Sequence, residues 1–284
     1  MNAAPATKSR LDGTFARLRA RGERALVVYL TAGDPSLADT RRLVIEAERR
    51  GADVVELGVP FSDPLAEGPV IQRAMMRARA AGTTVPRVLE TVATMRAEVS
   101  VPLVLFTYYN PVLAFGLKAF ARAAVDAGVD GALVVDLPPE EAGPLAAEAD
   151  AAGLDLIHLV APTSTPPRVR LIARRSRGFI YVVSVTGVTG ERQDLPADLA
   201  AQIRTLRRVT TMPVCVGFGI STPAQVAVVG RLADGAIVGS AIVRLVEERA
   251  GSSALVDDVG KFVAELKAPL REPLPNSPTD PTRR

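Results

Sequence analysis

Short apolar runs alternate with amphipathic stretches along most of the 284-residue chain. The runs are ALVVYLT from Ala25, ADVVELGV from Ala52, VPLVLFTYY from Val101, DGALVVDLP from Asp130, LDLIHLVAP from Leu154, GFIYVVSVTG from Gly178, MPVCVGFGI from Met212 and DGAIVGS from Asp234. They are rich in Val, Ile and Leu and do not alternate with polar residues. That pattern suits strands buried on both faces, as in a parallel sheet. Between them lie helix-patterned segments such as LADTRRLVIEAERRG and LKAFARAAVDAG, several closing on a glycine (Gly51, Gly128, Gly153) at the position just past a helix end. Eight such units predict an α/β fold, a single (β/α)8 TIM barrel. An open doubly wound sheet ordinarily has fewer strands.

The second unit is longer than the rest. Its loop, FSDPLAEGP, leads into two helix-like stretches, VIQRAMMRARAAG and VPRVLETVATMRAEV, an extra helical segment. An N-terminal helix, LDGTFARLRARG, is expected to cover the bottom of the barrel. The expected organisation is a disordered start over 1–10, the barrel over 11–268, and a disordered tail over 269–284 that carries five prolines.

Composition narrows the function classes. One cysteine and one histidine exclude a disulfide framework and a multi-cysteine or His-rich metal centre. Aromatics are 4% with no Trp, which leaves no stacking platform for single-stranded nucleic acid. The net charge of +3 lies in the ends, because residues 1–24 carry six basic and two acidic groups and the tail three and two. The body is therefore at −2, and nucleic acid is not an expected partner. The start has no apolar export core and no run is long enough to span a bilayer, so a cytoplasmic protein is expected.

Four places carry candidate chemistry at the ends of strands, where barrels of this type hold their active sites. Glu56 interrupts the apolar run VVELGVP; it is either paired with an Arg or a backbone amide, or a general acid/base with a raised pKa. The loop after it holds Asp63 and Glu67, either of which could face Glu56 across the barrel mouth. SVTGVTG (184–190) suits a mobile loop or a backbone anion nest. Glycine turns at the ends of the seventh and eighth runs, GFGIS from Gly217 and Gly239-Ser240, suit a backbone phosphate site. His158 and Cys215, each in mid-strand, read as core residues.

YLTAGDPS (29–36), ADVVELGVPFSDPLAEGPVIQ (52–72), YYNP (108–111), VVDLPPEE (134–141), YVVSVTGVTG (181–190), VGFGIS (216–221) and VGSAIV (238–243) together resemble the tryptophan synthase alpha chain family over about residues 11–267. The resemblance implies a lyase that cleaves indole-3-glycerol phosphate by a retro-aldol step to indole and glyceraldehyde 3-phosphate. Indole would pass to a beta chain for tryptophan synthesis, within an alpha2beta2 complex. It assigns proton transfer to Glu56 and the acceptor for the indole N–H to Glu67. Tyr181 falls on a tyrosine near the catalytic glutamate, and Thr189 on the loop that closes over substrate. Gly190, Gly219, Gly239 and Ser240 fall on phosphate-binding positions. Tyr29, where Phe is common in the family, and Phe218 would line the indole pocket. Asp63, Tyr108, Asn110 and Pro111 would face the beta chain. No cofactor or metal is implied in this chain; pyridoxal phosphate belongs to the beta chain.

Glu67 departs from the family, which usually has Asp there. The added methylene displaces the carboxylate by about 1 Å, and a misplacement of that size can cost about 10²-fold in rate. A stand-alone lyase that releases free indole is the alternative reading. Another phosphate-binding barrel or a non-catalytic activator of the beta chain fits less well, because ELGVPFSDP and Glu56 are both retained.

Overall fold

Nearly every described strand residue in the apolar runs is buried, on both faces, so the runs pair as interior parallel strands. A computed structural model describes residues 9–183, 198–217 and 219–271. The chain opens with α1 (Arg10–Arg21), β1 (Ala25–Thr31), α2 (Leu37–Arg50), β2 (Val54–Gly58), α3 (Pro69–Ala80) and α4 (Val85–Met95). Next come β3 (Leu103–Thr107), α5 (Tyr109–Phe115), α6 (Leu117–Ala127), β4 (Gly131–Val134), α7 (Gly143–Ala152) and β5 (Asp155–Val160). After α8 (Pro166–Arg175), β6 (Ile180–Val183) and α9 (Leu199–Arg207) stand β7 (Val214–Gly217), α10 (Pro223–Leu232) and β8 (Gly235–Val238). The described chain finishes with α11 (Ser240–Arg249), α12 (Leu255–Lys267) and a short 3-10 turn, Ala268–Leu270.

The eight strands close into a parallel barrel in sequence order, β8 pairing back onto β1. Alternate residues face opposite ways. Val27, Tyr29, Val54, Val104, Phe106, Leu133, Ile157, Tyr181, Cys215 and Ile237 fill the barrel interior. Their neighbours, such as Leu26, Val28, Val55 and Leu57, form the second core, under the helices. The N-terminal helix covers the bottom as expected. Leu11 and Phe15 are buried there, and the Phe15 ring lies 5.8 Å from Phe179. The two helices expected in the second unit are α3 and α4. Two helices exceed the expected pattern: α5, directly after β3, and α12, which packs on α2. The start over 1–8 and the tail from 272 lie outside the described residues.

One device recurs where strands begin. The Asp before β2, Asp53, accepts the N–H of Leu26 in β1 at 2.7 Å. Asp130, before β4, accepts the N–H of Leu103 at 2.8 Å, and Asp234, before β8, that of Val214 at 2.8 Å. Each also has a cation: Lys267 for Asp53, Arg10 and Arg96 for Asp130, Arg207 for Asp234. Lys267 is the most enclosed of these cations. Its side chain is 3% exposed, and its Nζ donates to Asp53 at 2.9 Å and to the Arg24 carbonyl at 2.8 Å. It ties the last long helix to the first two strands. Lys267→Met leaves Asp53 enclosed without its cation, and is expected to lower stability by about 3 kcal/mol. Urea denaturation checks this; a midpoint equal to wild type contradicts it.

Candidate active site

Strand register sets the first functional side chain. Glu56 is the third residue of β2, beside Tyr29 of β1 and Val104 of β3, and is 1% exposed. Two residues further along the same face is Gly58. A Cβ there would lie 2.0 Å from the Tyr29 hydroxyl oxygen, so glycine is what allows the Tyr29 ring to lean across β2. Opposite, Tyr181 of β6 does the same over Gly217 of β7, where a Cβ would lie 2.2 Å from its hydroxyl oxygen. The two rings and the Phe106 ring, 5.6 Å from Tyr29 and edge-on to it, roof the barrel interior. Above them opens a small cavity lined by Tyr29, Glu56, Glu67 and Tyr181, with Ile71, Phe106 and Ile237 supplying apolar wall. Gly239 and Ser240, at the start of α11, complete the lining. A helix start offers N–H groups that have no partner within the helix, and suits an anion.

Glu67 reaches this cavity by the fold of the loop between β2 and α3. Its N–H bonds the Pro64 carbonyl at 3.0 Å, making a tight turn. The Tyr108 hydroxyl accepts the Ala66 N–H at 3.1 Å, and Gln72 Nε2 donates to the Glu67 carbonyl at 2.9 Å. Phe61 stacks on Tyr108 at 4.9 Å. The result buries Glu67, at 2% exposed, and leaves Asp63 exposed. Of the two loop carboxylates, Glu67 is therefore the one that faces Glu56.

Neither glutamate makes an ion pair among the described residues. Both carboxylate oxygens of Glu56, and Oε1 of Glu67, are buried with no hydrogen-bond partner. Burial pushes the Glu56 carboxyl up to about 8, and the nearby charge of Glu67 adds to the effect. Burial pushes Glu67 up to about 7. Both carboxyls are thus raised into the neutral range, Glu56 further than Glu67, so the pair still holds protons there and Glu67 is the first to ionise. Burial also raises both tyrosine hydroxyls well above their ordinary value, so they are neutral donors.

The remaining expected residues divide. Gly219 adopts φ +78° in the turn after β7. Asn110 is exposed and Pro111 partly so, compatible with a contact surface. Tyr108 differs from expectation. It is 3% exposed and serves as an internal prop of the Glu67 loop, because stacking and the Ala66 hydrogen bond draw it inward. Thr189, Gly190 and Phe218 lie outside the described residues. His158 and Cys215 are core residues, as expected. The propping roles of Phe61 and Gln72 escaped the sequence reading, because nothing in the motif separates them from other loop residues. Among the described residues, no group of three or more His, Cys, Asp or Glu is placed to hold a metal.

A family model described as tryptophan synthase alpha chain matches residues 15–271. The tryptophan synthase alpha chain of Geobacter sp. (strain M21) is 53% identical over 259 residues, covering 91% of this chain and 97% of that protein. That of Geobacter sulfurreducens is 52% identical over 268 residues, covering 94% and 100%. The crystal structure of tryptophan synthase subunit alpha from Legionella pneumophila str. Paris superposes with a TM-score of 0.86 at 37% identity, covering 93% of this chain and 99% of that one.

The raised carboxyls have a consequence for stability. Between the ordinary glutamate value of 4.5 and about 7 or 8, the folded chain keeps protons that the unfolded chain has released. Their stabilisation is complete below the ordinary value and is lost as pH rises, until about 7 for Glu67 and about 8 for Glu56. Glu56→Gln removes one of these groups. Its melting temperature relative to wild type is expected to climb as pH is raised from about 5 to about 9. A difference that stays flat across that range contradicts the assignment.

Proposed function

This chain belongs to the tryptophan synthase alpha chain family, and from that premise we propose how its own residues divide the work of the lyase reaction. The reaction cleaves indole-3-glycerol phosphate to indole and glyceraldehyde 3-phosphate. The observation that carries the proposal is the pair of buried, cation-free carboxyls facing one apolar-walled cavity.

Protonated Glu56 gives its proton to indole C3. The ring loses aromaticity and positive charge develops on the ring N–H, where ionised Glu67 accepts a hydrogen bond and stabilises it. Glu56, now a carboxylate, takes the proton of the glycerol hydroxyl next to C3. The carbon–carbon bond breaks, its electron pair restores the aromatic ring, and the hydroxyl carbon becomes the aldehyde. Glu56 ends the cycle protonated, ready for the next substrate. Tyr181 stands against Glu56 and contributes a neutral donor, and Tyr29 forms part of the indole wall. The substrate phosphate is held by backbone N–H groups at the start of α11, at Gly239 and Ser240, with Gly219 in the turn after β7. For Gly190, Thr189 and Phe218, which lie outside the described residues, the family resemblance alone supports roles in phosphate binding, loop closure and the indole pocket.

Asp63 lies on the exposed loop after β2 near Leu65, 84% exposed, and Asn110 lies on α5 with Leu113, 54% exposed. This apolar surface at the barrel mouth is the proposed seat of the beta chain, in an alpha2beta2 assembly within the cytoplasm. The beta chain carries pyridoxal phosphate; the steps above are carried out by side chains. No helix among the described residues is long and apolar enough to cross a membrane. The relatives give no support to a stand-alone lyase.

Indole release from indole-3-glycerol phosphate, assayed with and without a beta chain, tests the proposal. Glu56→Gln is expected to lose at least about 10²-fold in turnover, while added beta chain raises the wild-type rate. Wild-type turnover in Glu56→Gln contradicts the role of Glu56. Activity is expected to rise through about pH 7 as Glu67 ionises and to fall through about pH 8 as Glu56 loses its proton. Glu67→Asp is expected to stay active and Glu67→Ala to lose most activity. A Glu67→Ala enzyme with unchanged turnover removes Glu67 from the mechanism.

A further inference from the structure

The Tyr29 ring leans over Gly58 and meets the edge of Phe106. The side chain is 3% exposed, so the hydroxyl oxygen is held at one point on the cavity wall and only its O–H bond can turn. That oxygen has no hydrogen-bond partner in ordinary geometry, and neither does Oε1 of Glu67 on the same cavity. A donor and an acceptor are thus both left open on one cavity. Each unsatisfied buried group is unfavourable, and a hydrogen bond to an ionised acceptor is stronger than one between neutral groups.

The groups that act on Tyr29 point the same way. Among its charged neighbours Glu67 has the largest influence on the hydroxyl, ahead of Glu56, while the Thr31 hydroxyl, close enough to give the Tyr29 oxygen a weak hydrogen bond, acts in the opposite direction and leaves the phenol proton free to donate. Across the cavity stand Glu56 on β2 and Tyr181 on β6. Glu56 is raised further than Glu67, so Glu67 is the first of the pair to become a carboxylate. Its Oε1 then has no donor.

We propose that Tyr29 is a positioning residue whose hydroxyl donates to the ionised Glu67 carboxylate and holds it toward the ring N–H of the substrate. Glu67 sits on a loop with a flexible side chain, whereas Tyr29 sits on a strand with a fixed ring. The phenol therefore gives the carboxylate a rigid reference point that its own backbone does not provide. The hydrogen bond favours the charged form of Glu67 and so keeps the shared proton on Glu56. The inference rests on the reading of Glu67 as the ring N–H acceptor.

Tyr29→Phe tests it, since it removes one oxygen and keeps the ring. The alpha reaction is followed across pH in wild type, Tyr29→Phe, Glu67→Gln and the double variant, each with the beta chain present. Tyr29→Phe is expected to lower kcat by about tenfold with KM changed less than about twofold. Its acid limb is expected to move to higher pH, because Glu67 has lost a donor to its ionised form. In the Glu67→Gln background the same change is expected to cost nothing further. An acid limb that stays in place, or an equal loss in both backgrounds, overturns the proposal and leaves the ring as a packing element only. Full turnover in Glu67→Gln alone overturns the underlying role of Glu67, and that result is read without the Tyr29 variant.

Discussion

Glu56 and Glu67 face one cavity at the barrel mouth, and among the described residues neither has a cation beside it. Two like charges in such a place repel each other and lack solvation, so one carboxyl keeps a proton at neutral pH. Burial is the larger cause for Glu56 and the sole cause identified for Glu67, which is why their values separate to about 8 and about 7. One proton on one carboxyl is also what the chemistry consumes and returns. An acid for C3 and an anion for the ring N–H must be present together, and two glutamates of unequal burial supply both.

The opposite end of the barrel treats carboxylates differently. Asp53, Asp130 and Asp234 each receive a backbone N–H from the preceding strand and at least one cation. Their charges are neutralised and serve to join strands, helices and the N-terminal cover. The same functional group is structural at one end and reactive at the other, and the difference lies in what is placed next to it. The buried glutamates without partners weaken the fold as pH rises. The glycines at 58 and 217 serve the reactive end, because each clears the space into which a tyrosine ring leans.

Much of this was legible in the sequence. Eight continuous apolar runs, with glycines closing several of the helical segments between them, specify a parallel barrel, and every strand lies within its run. Glu56 stood out because an unpaired carboxylate in an apolar strand is costly, and the structure leaves it unpaired. The choice between Asp63 and Glu67 was not legible from the loop alone. It depends on the turn from Pro64 to Glu67 and on the Tyr108 hydroxyl, a contact 42 residues away in sequence. The resemblance had placed Tyr108 on the partner surface, but the side chain folds back. Its stacking on Phe61 decides the matter, and stacking has no local sequence signal. The special position of Tyr29 needs the register of β1 on β2, which sets its ring against Gly58. The resemblance had placed it only as a wall of the indole pocket.

The most direct test is to watch the two protons themselves. Carbon-13 NMR of glutamate-carboxyl-labelled protein, with signals assigned through Glu56→Gln and Glu67→Gln, follows each group from about pH 5 to about pH 9. The account requires that the pair still hold one proton at neutral pH, with apparent values near 7 and 8. It also requires that the Glu56 value fall in Glu67→Gln, since one neighbouring charge has gone. Two carboxyls already ionised at about pH 6, each titrating as a solvent-exposed glutamate does, contradict it.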